Sequence, residues 1–152
     1  CGSLVKDYGH LLQHDPEYAA KAARVSSLTK DLSEALSEQD LTVLKASASG
    51  KKIAFHSPCS LQHAQKITYL AENILTKLGH ELTFVPDSHL CCGSAGTYSI
   101  LQGELSQQLL RNKITALESG GPELIATANI GCLTHMQTRA SVPVKHWVEL
   151  LD

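Results

Sequence analysis

Short apolar segments alternate with stretches of helical periodicity through residues 51–152, and this alternation constrains the fold more than any other feature of the sequence. The apolar segments have the length of strands and are bounded by glycine, proline and polar loop residues. Strands that alternate with crossover helices form a parallel sheet with helices on its faces. The sequence therefore predicts an α/β fold, a small parallel sheet flanked by helices in β-loop-α repeats. Strands are predicted at 53–55, 82–85, 124–128 and, as an edge, 142–144, and helices at 61–78, 95–118, from 131, and at 146–151.

The residues before the sheet are predicted to form a helical lead-in. Apolar residues from Leu4 to Leu12 recur at helical spacing. Asp15-Pro16-Glu17 combines a capping residue, a proline suited to the first helical position and an acid in the first turn, so a second helix is predicted from here to about Ser37. Ser47 to Gly50 has the composition of a flexible linker. We therefore expect two parts, a lead-in at 1–47 and a main domain at 51–152.

Charge and hydropathy exclude two kinds of partner. The formal net charge is −2 at pH 7, and 43% of the residues are hydrophobic, a composition typical of globular domains. Nucleic-acid binding needs a concentrated basic face, and the sequence shows none, so we expect no nucleic-acid partner. No apolar run approaches the ~20 residues that span a bilayer, so we expect no transmembrane segment.

The chain contains five cysteines, an odd number without the dense, regular spacing of a disulfide framework. This usage favours a reducing, cytoplasmic compartment, in which thiols stay free. The cysteines are then metal ligands, catalytic thiols or ordinary buried residues.

Four of these cysteines follow predicted strands. Cys59 follows the first strand, the adjacent Cys91 and Cys92 follow the second, and Cys132 follows the third. In parallel sheets, binding sites lie at the carboxyl ends of the strands. The sequence therefore predicts that three loops bring four thiols together at one edge of the sheet.

Four converging thiolates suit zinc or an iron–sulfur cluster. Zinc fingers and ribbons space two cysteines so that one tight turn aims both at a single ion. Here the close thiols are adjacent, and adjacent side chains of an extended segment point in opposite directions. A cluster can be approached from several sides, and Gly93 lets the backbone turn after the pair. The spacing therefore favours a cluster. The alternative is that the adjacent cysteines are ordinary buried residues that bind no metal.

Three motifs and the C-terminal segment resemble the cysteine-rich CCG domain. This domain occurs in heterodisulfide reductase B subunits and in the iron–sulfur subunits of glycolate and lactate oxidation complexes. The likeness is strongest to the C-terminal half of glycolate oxidase iron–sulfur subunits, and it covers nearly all of the chain. The segments that carry it are HSPCSLQH at 56–63, LCCGSAGTY at 90–98, ANIGCLTH at 128–135 and HWVELL at 146–151.

The resemblance implies a cofactor, an iron–sulfur cluster of the 4Fe-4S type bound by Cys59, Cys91, Cys92 and Cys132. Members of this family carry two CCG repeats after a ferredoxin-like domain. Cys1 then corresponds to the closing cysteine of a preceding repeat, whose tail lies in the lead-in. A cluster assembled by two repeats can be absent, or replaced by zinc, when only one is present.

One departure from the family pattern leaves the ligand set open. The family closes with C-x-x-C, whereas this chain has Cys132-Leu133-Thr134-His135. His135 lies on the same helix face as Cys132 and either replaces the missing thiolate or stands beside a four-cysteine site. His63, four residues after Cys59, is either a ligand or a hydrogen-bond donor to a neighbouring sulfur or carbonyl. His56 and His89 lie in the same loops, and each is either a group that tunes the site or an ordinary polar loop residue.

The function implied by the resemblance is electron transfer within a flavin-linked complex that oxidises glycolate or another 2-hydroxyacid. Electrons would pass from a flavoprotein subunit to an acceptor such as quinone, and any membrane association would be peripheral, through the complex. The chain would then be part of an enzyme without holding the substrate-oxidising site, and it would contain no catalytic residue. The alternative is a structural zinc-binding or subunit-docking module without redox activity.

Overall fold

The computed structural model describes residues 1–42, 44 and 50–151 of the 152-residue chain. The predicted linker lies outside the described residues except for Gly50. The chain divides into two compact units, Cys1–Gln39 and Asp40–Asp152, and each is described by itself. Among the described residues, no helix is both long and apolar enough to cross a bilayer.

The first unit consists of three helices, α1 (Gly2–Leu11), α2 (Ala19–Leu28) and α3 (Leu32–Ser37). The predicted helix from Asp15 begins late because this residue first forms a turn. Its carboxylate accepts hydrogen bonds from the backbone N–H groups of Glu17 and Tyr18, at 2.9 and 2.8 Å. The helical conformation then starts at Ala19.

The prediction of one unbroken helix to Ser37 is wrong, because Asp31 starts a new helix. Its carboxylate accepts from the Ser33 N–H at 3.0 Å, and the Glu34 carboxylate accepts from the Asp31 N–H at 2.7 Å, which together form a capping box. Burial raises the pKa of Glu34, but hydrogen bonds from Lys6 and from the Asp31 N–H outweigh it and hold the pKa below its ordinary value. The α3 helix is therefore specified by its own cap.

The second unit contains a parallel four-stranded sheet in the order β2-β1-β3-β4, which confirms the predicted α/β class. Its central pair, β1 and β3, is in register from Ile53 opposite Leu124 to His56 opposite Thr127. Both strands are buried almost throughout, as expected for parallel strands covered on both faces. The strands are β1 (Lys52–His56), β2 (Glu81–Leu82), β3 (Leu124–Thr127) and β4 (Val144–His146).

The outer strands differ from the predicted bounds. Strand β2 ends at Leu82, although the Thr83 N–H still donates to the Ile53 carbonyl at 2.9 Å. Phe84 is 82% exposed, so the predicted segment leaves the sheet before its last apolar residues. Strand β4 begins after Pro143, whose carbonyl accepts from the Ile125 N–H at 2.9 Å.

The predicted helices at 61–78 and 95–118 are both interrupted. Lys66 and Tyr69 have positive φ angles of 57° and 63°, which an α-helix does not tolerate. In the predicted helix at 95–118, Gln102 lies between two separate helices. The helical elements are a π-helical turn at Ser60–Ala64, α4 (Leu70–Lys77), α5 (Tyr98–Leu101), α6 (Gly103–Glu118), α7 (Ile130–Gln137) and a 3-10 turn at Trp147–Leu150.

The core beside the cysteine loops is formed by the sheet, α6 and α7. Ala54 of β1 and Ile125 of β3 are fully buried against apolar residues of these two helices, and Cys92 belongs to the same cluster. This packing fixes the base of the Cys91-Cys92 loop relative to the central strands. The buried members of the cluster are Ala54, Val85, Cys92, Leu110, Ile114, Leu117, Ile125, Leu133, Met136 and Val144.

Candidate metal centre

The carboxyl ends of the strands bring three cysteine loops together, as the sequence predicts. Cys59 follows β1 at the start of the π-helical turn, and Cys132 lies in the first turn of α7, directly after β3. Because β1 and β3 are neighbours, their outgoing loops are adjacent. Cys91 and Cys92 reach the same place from the segment between β2 and α5.

All four thiols line one cavity of about 270 Å³. Small side chains and glycines form most of its remaining wall, so the sulfur atoms are its main metal-binding groups. The volume is several times the ~30 Å³ that one water molecule occupies in the liquid. The lining residues other than the cysteines are Pro58, Ser60, Ser94, Ala95, Gly96, Asn129 and Gly131.

The thiols form two hydrogen-bonded pairs, Cys92 with Cys132 and Cys59 with Cys91. A hydrogen bond from Cys132 lowers the pKa of Cys92 well below the thiol's ordinary value, against the opposing effect of burial. The same bond raises the pKa of Cys132, and burial adds to that rise. Burial is also the main cause of the raised pKa of Cys59, followed by its neighbour Cys91. Within the first pair, Cys92 therefore loses its proton more readily than Cys132.

His56 completes a second arrangement within this site. One ring nitrogen of His56, the Cys92 Sγ and the Cys132 Sγ all lie within 4.8 Å of one another. The imidazole is 1% exposed, and it contributes to the lowered pKa of Cys92. The sequence placed His56 in a loop, but it is the last residue of β1, and its ring points into the cysteine cluster.

Asn129 joins two of the cysteine loops. Its side-chain oxygen accepts from the backbone N–H groups of Gly131 and Cys132, at 2.9 and 3.2 Å, and so caps α7. Its amide nitrogen donates to the Ser60 Oγ at 3.1 Å. One side chain thus fixes the start of the Cys132 helix to the residue that follows Cys59.

The Cys91-Cys92 loop is anchored on α6 through Gly93. The Ser106 Oγ donates to the Gly93 carbonyl at 2.8 Å and lies 3.3 Å from the His135 Nε2. His135 is therefore placed against Ser106, beneath the loop, and it is not among the described residues that line the cavity. The Ser94 Oγ donates to the Gly131 carbonyl at 2.9 Å and ties the same loop to α7.

Lys113 is a buried cation beneath the cysteine loop that sequence reasoning missed. Its side chain is 3% exposed, and Nζ donates to the carbonyls of Asp87 and Ser88 at 3.0 and 3.1 Å. Burial lowers its pKa, and the charges of the nearby cysteines, Cys92 first, act in the opposite direction. The available signal was its place between Leu110 and Leu117 on the apolar stripe of α6, where a lysine is unusual.

The other two histidines of these loops lie on the surface. His63 is exposed, and its Nε2 lies 3.4 Å from the carbonyl oxygen of His89. His89 is exposed as well. His63 thus lies within hydrogen-bond distance of a neighbouring carbonyl, which is the role predicted for it if it is not a ligand. It is not among the described residues that line the cavity.

All five cysteines are free thiols. Cys1 is exposed and belongs to the first unit, whereas the other four belong to the second. It therefore provides a thiol outside the cavity with which the four can be compared.

The fold and the cavity define a class of protein, a cysteine-rich α/β domain whose thiols converge at the carboxyl edge of a parallel sheet. A family model described as a cysteine-rich CCG domain matches residues 53–137, more than half of the chain. The chain belongs to this CCG family, which confirms the resemblance seen in its motifs.

Known proteins with similar sequences carry names that refer to glycolate or lactate. The chain is 53% identical over its full length to the glycolate oxidase iron-sulfur subunit of Escherichia coli K12, of which it spans 37%. It is 30% identical over its full length to lactate utilization protein A of Bacillus velezensis, of which it spans 66%. A probable glycolate oxidase iron-sulfur subunit of Bacillus subtilis is 32% identical over 90% of the chain, which covers 31% of that protein.

The residues of the cavity fit an iron–sulfur cluster. Four thiols from three loops provide the soft sulfur ligands that such clusters require. Lys113 places a buried positive charge beneath the cysteine loop, where it balances negative thiolates. The two buried ring nitrogens of His56 have no oxygen or nitrogen partner among the described residues, and their polar neighbour is the Cys92 thiol, so the ring lies where it would contact a bound cluster.

Proposed function

We propose that this chain is the cysteine-rich part of an iron–sulfur subunit in a flavin-linked complex that oxidises 2-hydroxyacids such as glycolate. The observation that carries this function is the convergence of Cys59, Cys91, Cys92 and Cys132 on one cavity. The names of the similar proteins support the chemistry, although the chain spans only part of each of them. The flavoprotein partner and an acceptor such as quinone belong to the same proposal.

The four cysteines would hold the cluster, and the rest of the site would control its surroundings. A bound cluster of the 4Fe-4S type would supply one-electron transfer between the flavoprotein and the acceptor. The chain's own residues supply thiolate ligands, partial burial and a nearby cation. Lys113 is expected to favour the more negative, reduced state of the site, because a fixed positive charge stabilises added negative charge nearby.

The two paired thiols differ in how readily they lose their protons. The hydrogen bond between them lowers the pKa of Cys92 and raises the pKa of Cys132, so Cys132 keeps its proton to a higher pH. Ligation of Cys132 requires that this proton be released, so metal loading should become more favourable as the pH rises.

Anaerobic reconstitution with ferrous iron and sulfide tests the proposed cluster. The wild-type chain should become brown and contain stoichiometric iron and acid-labile sulfide, with an electron paramagnetic resonance signal in one of its redox states. Cys92→Ser should lose most of the iron, because it removes a buried anionic ligand. Cys1→Ser is the matched control and should bind as much iron as wild type, since Cys1 lies in the other unit.

A colourless chain without iron after reconstitution would contradict the proposed function. Equal iron content in the Cys92→Ser and Cys1→Ser variants would do so as well. Stoichiometric metal without sulfide would favour the structural zinc-binding module instead, because zinc sites contain no inorganic sulfide.

A further inference from the structure

His56 is a buried histidine without a conventional hydrogen-bond partner. It is 1% exposed, and neither Nδ1 nor Nε2 forms a hydrogen bond to an oxygen or nitrogen atom within the part of the chain that the structure describes; the polar group beside the ring is the Cys92 thiol. Buried polar groups of this kind are rare, because each loses its hydration without compensation. The ring therefore requires a partner of another kind.

The position of the ring suits ligation of a metal ion. One of its nitrogens, the Cys92 Sγ and the Cys132 Sγ all lie within 4.8 Å of one another. A tetrahedral zinc ion, with bonds of about 2.0 Å to nitrogen and about 2.3 Å to sulfur, separates its ligand atoms by roughly 3.5 Å. The three ligand atoms thus need to approach one another by only about an ångström.

The backbone holds two of the ligands on regular elements, and the third, Cys92, lies on a loop that is packed into the core. His56 ends β1, and its register partner Thr127 ends β3, just before the α7 helix that carries Cys132. Cys92 is 1% exposed and belongs to the hydrophobic core. Ligands supplied by strands and helix starts are held more precisely than ligands on loose loops.

The separation of Cys91 from Cys92 removes the main objection to a single ion. Adjacent side chains are awkward ligands for one ion, but only Cys92 belongs to this group. Cys91 pairs with Cys59 instead. One nitrogen and two sulfur ligands, with a fourth position open, are a common set for zinc.

We propose that His56, Cys92 and Cys132 form a binding site for a single tetrahedral divalent ion of the zinc class. Its fourth coordination position faces the cavity that Cys59 and Cys91 also line. Because Cys92 and Cys132 belong to the proposed cluster site as well, a bound zinc ion and a cluster exclude each other. The cluster-free chain is then the form that binds zinc, with His56 as a ligand that the four-cysteine set omits.

Titration of the reduced, metal-free chain with Co²⁺ under anaerobic conditions tests this site. Cobalt substitutes for zinc and reports tetrahedral geometry and thiolate ligation through its visible and near-ultraviolet absorption. Wild type should bind one equivalent with both spectral signatures, and Zn²⁺ should displace it. His56→Leu should weaken binding at least tenfold, because leucine removes a ligand without leaving a large hole.

His80→Leu is the matched control. His80 is also buried, at 6% exposure, and its ring nitrogens also form no hydrogen bond among the described residues. It follows α4 and does not belong to the cysteine group. Both leucine variants should unfold at or above the wild-type temperature in the absence of metal, since each removes an unpaired buried polar group. Only His56→Leu should lose cobalt binding.

Cobalt affinity and spectrum in His56→Leu equal to those of wild type would overturn the proposed site. So would a wild-type chain that binds no cobalt, or equal losses in His56→Leu and His80→Leu. Cluster formation gives a separate readout, because one equivalent of Zn²⁺ added first should reduce iron uptake by wild type. Failure of iron uptake without zinc would count against the proposed function and leave the mononuclear site standing.

Discussion

Gly93 determines the course of the Cys91-Cys92 loop. Its φ of +89° lies in the region that favours glycine, and a Cβ built there would lie 2.5 Å from the Ser106 carbonyl oxygen and 3.2 Å from the Leu109 Cβ. The loop therefore approaches α6 at a distance that only glycine permits. This contact holds the neighbouring Cys92 in the core while leaving Cys91 half-buried.

Gly93→Ala should destabilise the second unit and displace the cysteine pair. Positive φ alone costs of order 1–3 kcal/mol for a residue with a side chain, and the clash with α6 adds to it. We expect a loss of more than about 2 kcal/mol in urea unfolding, together with weaker cobalt binding.

Gly103→Ala is the control for that substitution. Gly103 lies at the start of α6, and a Cβ there would have no atom within 4 Å. Alanine should be neutral or should stabilise the helix by up to about 1 kcal/mol. Equal unfolding midpoints for the two variants would show that the loop does not depend on Gly93.

At the scale of elements, the first turn of α7 is the point where two cysteine loops are joined. The cap from Asn129 satisfies two backbone donors that the helix itself leaves free. The bond from Asn129 to Ser60 extends the same contact to the π-helical turn after Cys59. The geometry of the site therefore depends on a side chain that is not a ligand.

Substitutions at Asn129 should separate helix capping from the link between loops. Asn129→Ala removes both and should cost about 1–2 kcal/mol in urea unfolding. Asn129→Asp keeps a good capping acceptor but loses the donor to Ser60, so its stability should stay closer to wild type. Both variants should bind cobalt more weakly than wild type. Wild-type cobalt affinity in Asn129→Asp would show that the Ser60 contact does not position the site.

The elements show which features the sequence could specify. The periodicity of apolar residues predicts the central strands and the parallel class, because these depend on the order of segments along the chain. The glycine predicted to end α4 does so, with Gly79 at a φ of 95°. The breaks at Lys66, Tyr69 and Gln102 were missed, since the apolar stripe continues across each of them.

The candidate site could also be predicted from the sequence only in part. Three loops after three strands suffice to predict that Cys59, Cys91, Cys92 and Cys132 converge, and all four line one cavity. The approach of His56 to Cys92 depends on the register of β1 with β3, which no local pattern reveals. The burial of Lys113 beneath the cysteine loop depends in the same way on how α6 packs, which the sequence does not reveal.

At the scale of the whole molecule, metal binding is expected to act on one unit. The cysteine cavity lies wholly within Asp40–Asp152. A ligand present at a hundred times its dissociation constant stabilises its folded site by about 2.7 kcal/mol. Hydrogen exchange measured by mass spectrometry should therefore slow in β1, β3 and α7 when one equivalent of Zn²⁺ is added.

The first unit provides the internal reference for that measurement. Exchange in α1, α2 and α3 should stay unchanged with zinc, because these helices belong to the unit that does not contain the cysteine cavity. The His56→Leu chain should show no slowing in either unit. Slowing of equal size in both units would contradict a metal effect confined to the sheet.

The pairing of β1 with β3 determines when a newly made chain could bind the proposed metal. The two strands are about 70 residues apart in sequence, and sheets built from such distant partners close slowly, over milliseconds to seconds. Until they close, Cys132 has not met the other thiols, while Cys91 and Cys92 are neighbours from the moment they are synthesised. Until the sheet closes, the two thiols would be exposed to any two-electron oxidant in the surroundings, so a reducing environment would matter most in that interval.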